Sequence, residues 1–122
     1  MMRLLRFFFS FDGRLSRGGY WLRSLAAMLL FFVIGVCLMA MVAVLLRHST
    51  EVSPLVFAPV IIVDFAVYVW ALIAVACRRC HDLGVPGRAM LGFGVNSIQL
   101  SFRRGTVGPN AFGADPLEKV PA

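Results

Sequence analysis

The sequence predicts an all-α, polytopic integral membrane protein with two transmembrane helices and a short third helix. Three observations carry that prediction. The composition is 60% hydrophobic and only 15% charged, against about 25% charged in a typical soluble domain. A chain of 122 residues has too high a surface-to-volume ratio to hide so much apolar surface in a core of its own. Two apolar runs, 24–46 and 55–77, are each 23 residues long, enough as helices to cross a hydrocarbon core of about 30 Å. The net charge of +6 comes almost entirely from arginine, with Lys119 the single lysine. A basic balance suits nucleic acid or anionic lipid. Beside two long apolar runs, lipid headgroups account for it, and no nucleic-acid partner is expected.

The elements follow in order within one membrane domain. Residues 1–23 hold five arginines (Arg3, Arg6, Arg14, Arg17, Arg23) and four phenylalanines (Phe7, Phe8, Phe9, Phe11). Basic and aromatic side chains interleaved this way suit the headgroup layer. Asp12-Gly13 is a turn signal and Gly18-Gly19 reads as a second break, after which Tyr20-Trp21 falls where an aromatic belt belongs. The first apolar cluster is too short for a signal peptide, and the run after it lacks a small-x-small exit, so no cleaved leader is expected. Residues 24–46 carry no charge and are apolar on every face, which predicts a membrane span rather than a buried core helix. After a polar loop, Pro54 is placed for the first turn of the second span, 55–77.

One charge interrupts that second span. An aspartate at the centre of a spanning helix costs about 2.5–3.5 kcal/mol on insertion scales, which the surrounding Val, Ile, Leu and Phe largely offset. Asp64 is therefore expected to face protein, touching the first span or Tyr68 one turn later. Five arginines precede the first span and three (Arg78, Arg79, Arg88) follow the second, against Arg47 between them. The positive-inside rule then places the N-terminus and the 78–88 loop in the cytoplasm.

Residues 89–102 are predicted to form a short helix with Gly92, Asn96, Gln99 and Arg103 along a polar stripe and Leu91, Val95, Ile98 and Phe102 along an apolar one. Fourteen residues cover about 21 Å, which predicts an interfacial or re-entrant helix and a cytoplasmic C-terminus. The tail, 103–122, is dense in Gly, Pro, Asn and Asp and reads as turns.

The residues that bear chemistry gather after the second span, in CRRCHDLGVPG (77–87). Cys77-Arg78-Arg79-Cys80-His81 fits the C-x-x-C-H haem attachment pattern. Such haem is attached outside the cytoplasm, where charge counting does not put these residues, so no haem is expected. Zinc would want four N or S ligands, and His48 lies across the membrane from the other three; no cofactor or metal is expected. Three cysteines (Cys37, Cys77, Cys80) form no disulfide framework, and Cys37 stands among apolar residues as one of them. His81 beside Asp82 suggests an acid–base pair, but adjacent side chains diverge on a helix or turn. Asp82 is expected to pair with Arg14, Arg17 or Arg79. The candidate functional cluster is Arg14, Arg17, Arg78, Arg79, His81 and Asp82, with Asp64 as a separate intramembrane charge.

FDGRLSRGGYW, RRCHDLGVPG and GTVGPNAFGADP, in that order and spacing, resemble the three signatures of the domain of unknown function 805 family of small bacterial inner-membrane proteins. The resemblance assigns family positions to Phe11, Gly13, Arg14, Ser16, Arg17, Tyr20 and Trp21. It then takes in Arg78, Arg79, His81, Asp82 and Gly84, and finally Gly105, Thr106, Gly108, Asn110, Gly113, Asp115 and Pro116. Cys80, Pro86 and Phe112 depart from the usual Leu, Ser and Tyr. The resemblance implies a bacterial inner-membrane protein, and a third span with an external tail that the length and charge of 89–102 do not predict. It supplies no activity. The expectation is a non-enzymatic lipid- or protein-binding accessory module, meeting anionic headgroups, a membrane protein or its own copies. The alternative is an oligomeric transporter or channel protomer using Asp64.

Overall fold

The computed structural model describes residues 7–47, 54–90 and 95–118. Two long helices, α1 (Arg17–Leu46) and α2 (Ala58–Asp82), pack antiparallel, and a short α3 (Ser97–Phe102) lies against both. Single 3-10 turns at Pro54–Val56 and Gly87–Met90 flank α2. No strand forms among the described residues.

The 18-residue windows of highest hydropathy in α1 and α2 are 0% and 17% buried. A core helix of a soluble protein would be covered on all sides, so this apolar surface needs lipid. Phe32, Leu45 and Ile62 stand 65% or more exposed on it. What little interior exists is at one end. There Phe8, Ala27, Phe31 and Ala71 form one cluster, and Cys80, Leu83, Val95 and Leu100 form a second below the connection to α3. Ala27 against Ala71, both fully buried, lets the two helices approach closely.

The first span begins earlier than sequence alone suggests, and the second begins and ends later. The first helix starts at Arg17, not Ser24, because Ser16 caps it: the Ser16 hydroxyl accepts from the Gly19 N–H at 3.3 Å. Gly18-Gly19 is therefore the first helical turn rather than a break. A Cβ on Gly19 would lie 2.8 Å from the Leu15 side chain, so the glycine permits close packing there. The second helix starts at Ala58 with Pro59 in its first turn, where the missing N–H has no partner to lose. Pro54 instead opens the 3-10 turn before it.

At its other end α2 continues to Asp82, so the segment 78–88 is a loop only in its second half. The helix stops in a Schellman motif. Gly84 takes φ +77°, its N–H donates to the His81 carbonyl at 3.1 Å, and the Val85 N–H donates to the Cys80 carbonyl at 3.1 Å. The extra turn and a half keeps Arg78, Arg79, His81 and Asp82 in helical register.

No helix runs over 89–102. Residues 87–90 are a 3-10 turn, 91–94 lie outside the described residues, and α3 is six residues long. Asn96, read as part of a polar stripe, is the α3 cap, its side chain accepting from the Gln99 N–H at 2.9 Å. The inward side chains are Val95 and Leu100, while Ile98 and Phe102 are 69% and 67% exposed. The apolar stripe of the sequence is thus split by the cap: Val95 precedes the helix and does not share its face. Met90 and Ala89 on one flank of 91–94, and Val95 and Leu100 on the other, pack on the same end of α2.

Candidate functional site

At that end, three sequence segments meet on one carboxylate. Asp82, on the last turn of α2, accepts from Arg14 Nε (3.2 Å) and Nη2 (3.0 Å) on Oδ1, and from Arg79 Nη1 on Oδ2. Arg79 and Asp82 stand three residues apart on the helix and so share a face. The side chains are sealed: Arg14 is 1% exposed, Arg79 0% and Asp82 5%.

Two arginines on one carboxylate would leave a buried excess of positive charge, and main-chain carbonyls absorb it. Arg79 Nε donates to Leu100 O (2.9 Å), Nη1 to Leu15 O (3.2 Å) and Nη2 to Arg103 O. Arg14 donates through Nη1 to Gly108 O and through Nη2 to Thr106 O, each at 2.5 Å. These are the planar fork contacts that arginine makes and lysine cannot. The carbonyls of Leu100 and Arg103 are those a short helix leaves unpaired at its C-terminal end, so Arg79 also completes α3.

The backbone is drawn in with the side chains. Leu15 N–H donates to Arg78 O (3.1 Å), and both the N–H (2.8 Å) and hydroxyl (3.1 Å) of Thr106 donate to Asp82 O. Gly105 has no alternative: a Cβ there would lie 2.0 Å from Asp82 Oδ2. Gly13, at φ +83°, makes the turn that brings Arg14 inward. The tail docks by Asn110, whose amide donates to His81 O and to the Thr106 hydroxyl, both at 2.9 Å.

A family model described as "Protein of unknown function (DUF805)" matches residues 8–114. The chain belongs to that family. No match was found among curated proteins or among solved structures. The three signatures that sequence reading picked out for the family are the three segments that close around Asp82. They form one buried clasp rather than three separate sites.

His81 and Asp82 diverge, as neighbours on a helix must. The His81 ring stacks flat on Phe112, with centroids 4.2 Å apart and planes 2° apart, and its Nδ1 lies 3.1 Å from Gly13 O. Cys80 is fully buried beside Leu83, and Cys77 touches Gly87, where a Cβ would lie 2.7 Å from its sulfur. These two cysteines fill space in the packing.

Arg17 does not reach Asp82. Its Nη1 donates to Phe102 O at 3.4 Å, beside the α3 carbonyls that Arg79 takes. Asp64 does face α1: a Cβ on Gly35 would lie 3.1 Å from its Oδ2. Tyr68 shares the groove of about 480 Å³ between the spans but makes no hydrogen bond to Asp64 among the described residues; its ring packs on Phe31, with centroids 5.8 Å apart. A cavity of about 1160 Å³ lies between α1, α2 and α3. Its lining, which includes Trp21, Met28, Leu72 and Leu100, holds no acid, histidine or cysteine among the described residues.

The candidate cluster omitted Gly105, Thr106 and Asn110, which hold the clasp as firmly as the charged residues do. Their signal was the G-T-x-G-x-N spacing, which says only that a tight turn is present, not where it docks. It also omitted Arg23, whose place one residue before a long uncharged run marks it as an interfacial cation.

Proposed function

We propose that this is a non-enzymatic module of the bacterial inner membrane, with its N-terminus and clasp in the cytoplasm, that binds anionic lipid headgroups through its arginine-rich end. One observation carries the reading. The acid–base groups of the clasp and of the tail turn beside it are engaged internally. Asp82 is filled by two arginines, His81 by Gly13 and Phe112, and Asp115 by the N–H groups of Gly108 and Leu117, both at 2.9 Å. The outward charge there is mainly cationic: Arg103 and Arg104 are exposed and Arg23 is half-exposed, against the exposed Asp12 and Glu118. A rigid polar end with outward arginines, set on two lipid-facing helices, is suited to recognise phosphate at the membrane surface. Cytoplasmic placement follows from the excess of arginine at that end over Arg47 alone between the spans.

The test is lipid retention. The protein extracted in mild detergent and measured by native mass spectrometry should keep phosphatidylglycerol in preference to phosphatidylcholine. Equal retention of both would defeat the headgroup reading. A reporter fused before Met1 that is active only outside the cytoplasm would reverse the orientation.

A second reading, an oligomeric transporter or channel protomer, draws on Asp64 in the groove beside Gly35. Two spans cannot enclose a pathway alone, so that reading requires a stable oligomer. A monomer in native-lipid particles removes it.

A further inference from the structure

The side chains of Arg23 and Arg78 take no part in the clasp, and neither is fully exposed. They come from different helices and converge on one residue, Phe7. The Arg23 guanidinium lies over the Phe7 ring, 4.5 Å from its centroid, and Arg78 Nη2 donates to the Phe7 carbonyl at 2.6 Å. The two cations are near enough to repel one another. Arg78 is 6% exposed, and its buried Nε has no hydrogen-bond partner.

Two like charges at the edge of a low-dielectric region need an anion, and among the described residues the chain provides none. It has six acids. Asp82 is filled by Arg14 and Arg79, and no other ion pair occurs among the described residues. Asp64 is fourteen residues from Arg78 along α2, about 21 Å away. Asp115 is bonded to the tail backbone. Glu51 falls between the two spans in sequence, and Asp12 and Glu118 are in no ion pair with either arginine. Arg23 is also the last charged residue before the uncharged run of α1, which sets the pair at the level where lipid phosphates lie.

We propose that Arg23 and Arg78 form a phosphate-binding site, the ring of Phe7 holding one guanidinium and its carbonyl the other. The ligand chemistry is a phosphate ester or phosphate ion. Its source as a lipid headgroup rests on the function proposed above; the site itself does not. Both guanidiniums are held before the ligand arrives, so little ordering remains to be done on binding.

The full chain in neutral detergent and phosphate-free buffer is titrated with short-chain phosphatidylglycerol, and separately with inorganic phosphate, following the unfolding temperature. Phosphatidylglycerol should raise it saturably, and Arg23→Gln should shift the half-saturating concentration up about tenfold, as loss of one charge-assisted contact implies. Arg23→Lys, which keeps the charge but not the fork, should fall between, and it covers the case in which Arg23→Gln does not fold. Arg88→Gln removes the same charge from an exposed position near that end and should shift it little.

Equal shifts from Arg23→Gln and Arg88→Gln would overturn the site while leaving diffuse headgroup binding intact. Saturation by inorganic phosphate alone, with the same dependence on Arg23, would keep the site and remove the lipid. No saturable effect of either ligand on the wild type would remove both.

Discussion

Asp64 and Asp82 stand on the same helix, and eighteen residues apart is five turns, so both carboxylates leave α2 on the same side. Their surroundings have almost nothing in common. Asp82 meets two arginines, and its carbonyl takes the N–H and hydroxyl of Thr106. Asp64 meets Gly35 and no cation. Helix face does not explain the difference; depth does. At the headgroup level the chain can leave helix and present bare carbonyls and arginine forks to a carboxylate. Within the hydrocarbon every backbone group is committed to its own helix, and all that α1 can supply is the space of a glycine. The later start of α2 also moves Asp64 off centre. It lies about 21 Å from the level of Arg78 in a core of about 30 Å, where the insertion cost is lower than at the midplane.

If this contrast holds, the largest effect of any single change belongs to Asp82. Asp82→Ala should destabilise the protein by about 3–5 kcal/mol, because it leaves Arg14 and Arg79 buried without their counter-charge. Denaturant unfolding in mixed micelles would measure it. A loss under about 1 kcal/mol would place Asp82 with exposed pairs of little worth. Exchanging charges, with Arg14→Asp and Asp82→Arg together, should not restore stability. Arg14 donates to the carbonyls of Thr106 and Gly108 as well as to Asp82, and an aspartate cannot donate to either. Rescue by the swap would show that the carbonyl bonds contribute nothing.

Next in size is Gly105→Ala, which forces a methyl group into the Asp82 carboxylate and should cost about 1–3 kcal/mol as overpacking. Gly108→Ala meets open space at φ +78° and should lose about 1–2 kcal/mol from backbone strain alone. The same unfolding assay ranks the two. An equal or reversed order would mean that the turn geometry, and not the close approach to Asp82, governs docking of the tail.

Asp64→Leu probes the other side of the comparison and should leave insertion and stability unchanged or improved, since a costly group disappears and no ion pair goes with it. Membrane integration of the variant, measured by protease protection, is the readout. Loss of integration would make Asp64 a structural residue after all, and the contrast with Asp82 would collapse.

The two spans were legible because a bilayer demands long uncharged runs, and 24–46 and 55–77 answer that demand in composition alone. Their ends were not. The Ser16 cap and the Schellman turn at Gly84 depend on single residues whose effect is decided by which backbone groups they meet. Arg14, Arg79 and Asp82 could be named from motif spacing, since opposite charges at one membrane face have few other partners. That Arg17 would go to Phe102 instead could not be read, because the carbonyl it reaches exists only once α3 has formed. The stripe over 89–102 misled for a related reason. Asn96 suits a helical polar face and a cap equally well, and capping ends the periodicity at that point.

The smallest expected effect lies at the edge of the clasp, at Asp115. Its carboxylate accepts from the N–H groups of Leu117 and Gly108, and those two bonds hold its pKa below the ordinary carboxylate value, with nearby Arg14 and Arg104 adding to the same direction. The sign follows from linkage. A carboxyl whose folded pKa is depressed contributes stability above its unfolded pKa and loses it as pH falls through the folded value. The turn at Gly108 should therefore stay closed through neutral pH and loosen only below the usual carboxylate range. Amide proton shifts of Gly108 and Leu117 across an acid titration should move together and follow Asp115. Asp115→Asn should flatten both curves and leave the Thr106 amide, which donates to Asp82 O, unchanged. If the Thr106 amide moves with them, the tail and the buried clasp open as one unit, and the separation drawn between a sealed centre and a solvated rim fails.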